Sequence, residues 1–371
     1  VEPAEANPPL LIPRTGQQAH EREPVSERPA AMSAHSTPLK FLMPGWFATV
    51  MGLAGLSLAW KQATPILGDM AGAGAMAIGA VAALVFLVLA LLSLFRRQRY
   101  PEAFGEDLKH PVRHAFVAAI PVSLILLATV LTALIGPSGI GRGLWIIGSA
   151  WQFGVTIWVL ARWLRGSQPG GLVWPGVTPV LFIPVVGNVL PPLAGIALGY
   201  PEWAAAQFGV GLFFWPVMLA LLAVRLGVNG MWPERLLPTT FITVAPPAVI
   251  GLSALQLAAP AVLAWMAWGI ALFFLFWSAT VFQRAVAQPF SVTFWALSFP
   301  LAAFGALTLR LAQGGPVWFQ TLAMLTLALA SLVIAGLLLA SFKGLRDGTL
   351  LAPEPVAMIA AADAAPARSG G

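Results

Sequence analysis

The sequence has no cysteine, only four histidines and two tyrosines, and 9% charged residues. Without cysteine there is no disulfide, no thiolate metal site and no cysteine nucleophile, and the redox compartment is left open. His20, His35, His110 and His114 fall in the N-terminal tail or beside a loop, which excludes a histidine metal cage inside the apolar body of the chain. Soluble domains carry about 25% charged residues, so this chain is not one. Within its apolar runs no Asp or Glu lies away from an end. That argues against a proton relay of the kind pumps use and against a cation filter built on carboxylates. No base stands beside the many serines and threonines, so no catalytic set is visible and no enzyme is expected.

What is present is apolar. Hydrophobic residues make up 58% of the chain, the signature of an integral membrane protein, and about 20 residues are needed for each crossing. Ten segments qualify: 42–60, 71–95, 114–135, 143–164, 177–198, 203–224, 238–258, 261–282, 291–311 and 317–342. Residues 1–37, rich in Pro, Glu, Ala, Ser and Gln, read as a disordered tail rather than a signal peptide. Residues 38–343 form the membrane domain, and the Ala/Pro-rich residues 344–371 form a second disordered tail.

Charge sets the orientation. Thirteen basic residues, among them Lys40, Arg96, Arg97, Arg113, Arg284 and Lys343, fall at the ends that share a side with the termini, against only Lys61, Arg142 and Arg310 opposite. The positive-inside rule then places both termini in the cytoplasm. The net charge of +6 is spread over these loops, so nucleic acid is not an expected partner; the bilayer is.

Proline supplies a repeat. The odd-numbered segments contain Pro44, Pro121, Pro184, Pro246 and Pro300, spaced by 77, 63, 62 and 54 residues, about one helical hairpin each. Five hairpins with a bent inner and a straight outer helix would give this spacing; so would the general abundance of proline in membrane helices. The most suggestive segment is FWALSFPLAAFGALTL, 294–309, where Phe299 precedes Pro300. A helix bent there leaves backbone carbonyls unpaired, which is tolerated only against protein or a water-filled cavity. Phe299 is therefore either a packing residue or a ring at the narrow point of a pore. Ser123, Thr129, Asn188 and Thr243 are either helix-to-helix hydrogen bonders or weak polar contacts in such a pore. Gly45, Gly52 and Gly55 allow close packing or make room for a ring.

Six patches in order, PGWFATVMGLAGLSLAW at 44–60, HPVRHAFVAAIP at 110–121, LWIIGSAWQ at 144–152, FIPVVGN at 182–188, APPAV at 245–249 and FWALSFP at 294–300, resemble the tellurite-resistance and dicarboxylate transporter family. That family includes the slow-type anion channels of plants and fungal malate and sulfite transporters. The resemblance implies an all-α fold of ten transmembrane helices, five hairpins in quasi-fivefold arrangement around a central pore, and a homotrimer with one pore per subunit. It implies no cofactor and small inorganic anions as passengers. It makes Phe299 the pore gate and Pro44, Pro121, Pro184, Pro246 and Pro300 the kinks. Candidate lining residues are Phe47, Ala48, Gly52, Ser123, Asn188 and Thr243. Where the family has Gly-x-Phe-Gly in the first helix, this chain has Gly45, Trp46, Phe47 and Ala48, so the seating of the ring is expected to differ.

Three readings follow. A passive channel of the bacterial inner membrane would conduct monovalent anions such as chloride or nitrate, selecting by ease of dehydration. A secondary exporter of tellurite, sulfite or C4-dicarboxylates would need fixed positive charge, for which Arg225 and Arg310 are the candidates. A membrane scaffold would act through its tails.

Overall fold

The computed structural model describes residues 38–166 and 171–351. The expected N-terminal tail, 1–37, and residues 352–371 of the C-terminal one lie outside the described residues. Ten helical elements carry the fold: α1 Ala48–Gln62, then α2 Asp69–Arg99, α3 Arg113–Ile135, α4 Gly139–Trp163, α5 Pro179–Gly195, α6 Pro201–Asn229, α7 Glu234–Gln256, α8 Ala261–Ala279, α9 Val292–Ala312 and α10 Val317–Arg346. No strand occurs among the described residues. This is an all-α membrane protein.

Eight of the ten, all but α1 and α5, are long and apolar enough to cross a bilayer. The first expected span is shorter because its α-helical part follows a 3-10 turn, Pro44–Phe47. The fifth is a chain of short pieces, Pro179–Leu181, Phe182–Val186, Gly187–Val189 and Pro192–Gly195, since prolines at 179, 184, 191 and 192 deny it a continuous ladder.

Odd and even elements form two layers. In their most apolar stretches α3, α7 and α9 are 67%, 83% and 89% buried, whereas the five even elements are 17–39% buried. The even elements turn bulky apolar side chains outward, among them Leu87 on α2, Phe213 on α6, Phe276 on α8 and Leu332 on α10. Such a surface is stable only in lipid. Their inward faces are small: Ala71, Ala75, Gly79 and Ala82 on α2, and Ala264, Ala267 and Ala271 on α8, are buried, which lets backbones approach.

The odd elements close on one another. α1 packs against α3, α3 against α5, α5 against α7, α7 against α9, and α9 returns to α1. Each even element packs on the odd one before it. Every odd element also begins as a 3-10 helix and then relaxes to α, at Ala48, Ala119, Phe182, Ala245 and Ser298. Four prolines, Pro121, Pro184, Pro247 and Pro300, stand at the third residue of the α part. There the missing N–H is one that an α-helix leaves unpaired anyway. The prolines thus mark a change of helix type, not a kink in mid-span. Pro44 opens the 3-10 turn of α1, and Pro246 is the second residue of its α part. In α7 the 3-10 stretch runs for 11 residues, although such runs seldom exceed 3–4 residues unless a functional site holds them.

At the basic end the first hairpins are clamped by a buried carboxylate. Asp107 meets Arg96 at 2.7 Å and Arg113 at 3.1 Å, and Arg96 Nε donates to the Lys40 carbonyl. Beside this clamp His110 Nδ1 accepts the backbone N–H groups of Val112 and Arg113 at 3.1 Å each, capping the start of α3. Burial, then the charge of Arg113 and then His114, hold the His110 pKa down, from 6.5 to about 4. The unfolded chain therefore takes up this proton first. The stability tied to the neutral ring is present above pH 6.5 and is lost as the pH falls towards about 4. Melting of the solubilised protein between pH 7 and 4.5 should show that decline, and His110→Asn, which keeps an acceptor but does not titrate, should make it shallower.

Candidate functional site

A cavity of about 60 Å³, room for about four water molecules, is lined by residues at or near the 3-10 to α transitions of all five odd elements. Its walls come from α1 (Ala48, Met51), α3 (Phe116, Val122), α5 (Phe182, Ile183, Val186, Gly187, Val189, Leu190), α7 (Ile242, Ala245, Pro246, Val249) and α9 (Val292, Thr293, Trp295, Ala296, Phe299, Pro300). No charged side chain lines it. Thr293 Oγ1 donates to the Arg235 carbonyl and Trp295 Nε1 to Ser341 Oγ, so the two polar groups on the wall are already engaged.

On α9 the last residues to line the cavity are Phe299 and Pro300. Phe299 remains 9% exposed. Its ring rests on α1 at Gly55, where an added Cβ would stand 3.0 Å from Phe299 Cδ2 and 3.2 Å from Ala302 Cβ. One turn earlier, Gly52 receives Ser298: an added Cβ there would lie 2.2 Å from Ser298 Oγ and 2.5 Å from its Cβ. The glycine beneath the ring is thus Gly55, two turns beyond Ala48, and Ala48 lines the cavity instead.

Of the residues singled out by sequence, Ala48, Pro246, Phe299 and Pro300 come together on the cavity wall. Pro44, Pro121, Pro184, Phe47, Gly52, Ser123, Asn188 and Thr243 are not on it. Phe47 packs edge-on to Phe86 of α2. Ser123 Oγ donates to the Ala119 and Phe47 carbonyls, Thr129 to Ile125, and Thr243 to Thr240 with Ser278 nearby. Asn188 faces α4 and α6. Arg225 donates to the Gly230 carbonyl and Arg310 to Gln313 Oε1; neither reaches the cavity. Of the three glycines read as room for a ring, Gly55 is the one that Phe299 rests on; sequence reasoning missed Phe116 and Phe182 as parts of the site, and also a polar strip on α4, Ser149, Gln152 and Thr156, whose spacing on an apolar helix was the available signal. Among the described residues no group of three His, Asp or Glu could hold a metal.

A closed ring of helices with an uncharged cavity on its axis, wrapped by lipid-facing helices, defines a multi-pass membrane protein of the channel and transporter class. Residues 42–342 match the family described as voltage-dependent anion channel (SLAC1), and the chain belongs to it. Among its relatives, an uncharacterised transporter of Methanocaldococcus jannaschii is 24% identical over 304 residues, covering 73% of this chain and 84% of the relative. The S-type anion channel SLAH2 of Arabidopsis thaliana is 27% identical over 231 residues, 62% of this chain but 44% of the longer plant protein. The tellurite resistance protein TehA homolog of Haemophilus influenzae is 27% identical over 269 residues, 71% of this chain and 79% of the relative. Anion transport is the function class these similarities support, and its members are not enzymes.

Proposed function

We propose that this protein is a passive channel for small monovalent anions such as chloride and nitrate, with Phe299 as its gate. The observation that carries the reading is the uncharged cavity, walled by all five inner elements and with Phe299 on its wall. A path without fixed charge holds no anion tightly, so ions leave as easily as they enter, and selection falls to the cost of shedding water. Ten crossings in five hairpins around the pore, a homotrimer with a pore in each subunit, and a bacterial inner-membrane location with both termini cytoplasmic complete the proposal. The cavity then lies on the cytoplasmic side of the ring, where the basic loop ends concentrate anions.

The rival, a carrier of tellurite, sulfite or dicarboxylates, would be served by a cation at the binding site, and Arg225 and Arg310 are hydrogen-bonded elsewhere. Anion flux into vesicles carrying the purified protein separates the two. Flux through a channel opened by Phe299→Ala is expected to rise in proportion to driving force, to favour nitrate over chloride and to ignore a proton gradient. Saturating, proton-driven flux would defeat the channel reading.

A further inference from the structure

The fifth element is broken into short helical pieces and gives the cavity as much of its wall as α9 does. Phe182, Ile183, Val186, Gly187, Val189 and Leu190 all line it. Its α-helical run lasts 5 residues before the backbone tightens at Gly187–Val189, so carbonyls near the break need other donors. In the apolar interior of a membrane protein each unpaired one would cost several kcal/mol.

Side chains of α4 and α5 supply those donors. Gln152 Nε2 donates to the carbonyls of Ile183 at 3.2 Å and Pro184 at 3.0 Å. Thr156 Oγ1 lies 2.7 Å from the Pro184 carbonyl and accepts from Asn188 Nδ2 at 2.7 Å, while the same nitrogen reaches the Val185 carbonyl at 3.1 Å. From α6, Gln207 Nε2 donates to Asn188 Oδ1 at 2.8 Å, and Ser149 Oγ donates to Gln207 Oε1. All five side chains are at most 2% exposed. The backbones are close enough to lock this arrangement: a Cβ on Gly211 of α6 would stand 2.8 Å from Val189 N, and one on Gly187 would stand 2.8 Å from Gln152 Nε2.

We infer that Gln152, Thr156, Asn188 and Gln207 are positioning residues that hold the broken fifth element in place, and so fix the wall that α5 gives the cavity. Its bearing on transport rests on the channel reading; the placement of α5 does not. None of the four touches the cavity, so they act only through the backbone of 183–188.

The absence of cysteine makes the test clean. A single Val186→Cys, on the α5 wall, or Val249→Cys, on the α7 wall, is introduced into the full chain, and its modification by a negatively charged methanethiosulfonate is timed. Thr156→Val keeps the shape and removes the hydroxyl. It is expected to change the rate at Val186→Cys about fivefold, the shift that one lost hydrogen bond supports, leave Val249→Cys unchanged, and be reversed by Thr156→Ser. Gln152→Met serves as a second, independent variant. Equal shifts at both cysteines, or none at either, would overturn the inference; so would loss of monodisperse protein in both variants, which would make the strip plainly structural. The same variants on Phe299→Ala should alter the nitrate-to-chloride permeability ratio. If labelling shifts while Phe299→Ala does not conduct, the channel reading fails and the positioning role stands.

Discussion

Phe299→Ala is expected to turn a nearly silent protein into a strongly conducting one in planar bilayers, first in symmetric chloride and then in nitrate. On the proposed reading the ring occludes the uncharged cavity that it lines, and it rests on α1 at Gly55, a residue with no side chain to take its place when it is removed. Every 1.4 kcal/mol taken off a barrier raises flux about tenfold, and replacing a whole phenyl group by a methyl should exceed that. The variant should also melt earlier, because truncating a buried Phe costs about 3–5 kcal/mol in a core that cannot collapse. Phe304→Ala separates the two effects. Phe304 lies on the same helix but stacks outward on Trp268, with ring centroids 6.0 Å apart; its loss should lower stability and leave the protein silent. Conduction by both variants would mean that any loosening of α9 opens a leak, and Phe299 would then be a packing residue.

The all-α membrane architecture was legible because membrane burial writes itself in long apolar runs. Of the five spaced prolines, Pro121, Pro184 and Pro300 share one place, the third residue of an α-helical part, where a missing N–H is tolerated; Pro44 and Pro246 do not. Helix rotation was not legible. Elements that are apolar all round carry no stripe to say which face turns inward, so Ser123, Asn188 and Thr243 could not be assigned from sequence to the cavity or to the seams; the structure leaves all three off the cavity wall, with Asn188 bonded across to α4 and α6 and the other two bonded mainly to their own helices. Gly45, Gly52 and Gly55 could be named together as room for a ring, but only the packed structure shows that Gly55 is the one beneath Phe299. The break in α5 could be suspected from its prolines, but its partners on α4 could not, because Gln152 and Thr156 find the carbonyls of 183 and 184 only once two hairpins have packed.

Gly52→Ala should be the most damaging single methyl in the ring, and its damage should reach the gate. The new Cβ would lie 2.5 Å from the Cβ of Ser298, an atom fixed by its backbone, so no change of rotamer relieves the clash and α1 must move away from α9. Overpacking of this kind costs about 1–3 kcal/mol. The displaced residue is Ser298, whose Oγ donates to the Trp295 carbonyl at 2.6 Å, and the next residue is Phe299. Thermal melting should therefore fall, and a measurable anion current should appear although the ring is intact. Ser298→Gly added to Gly52→Ala removes both clashing atoms and should recover most of the stability and the silence, a coupling between neighbours that independent sites do not show. Gly72→Ala, where an added Cβ has nothing within 4 Å, should be neutral or slightly stabilising. If Gly52→Ala melts like Gly72→Ala, the α1–α9 seam has slack to absorb a methyl, and a ring seated by that seam could not hold the pore shut.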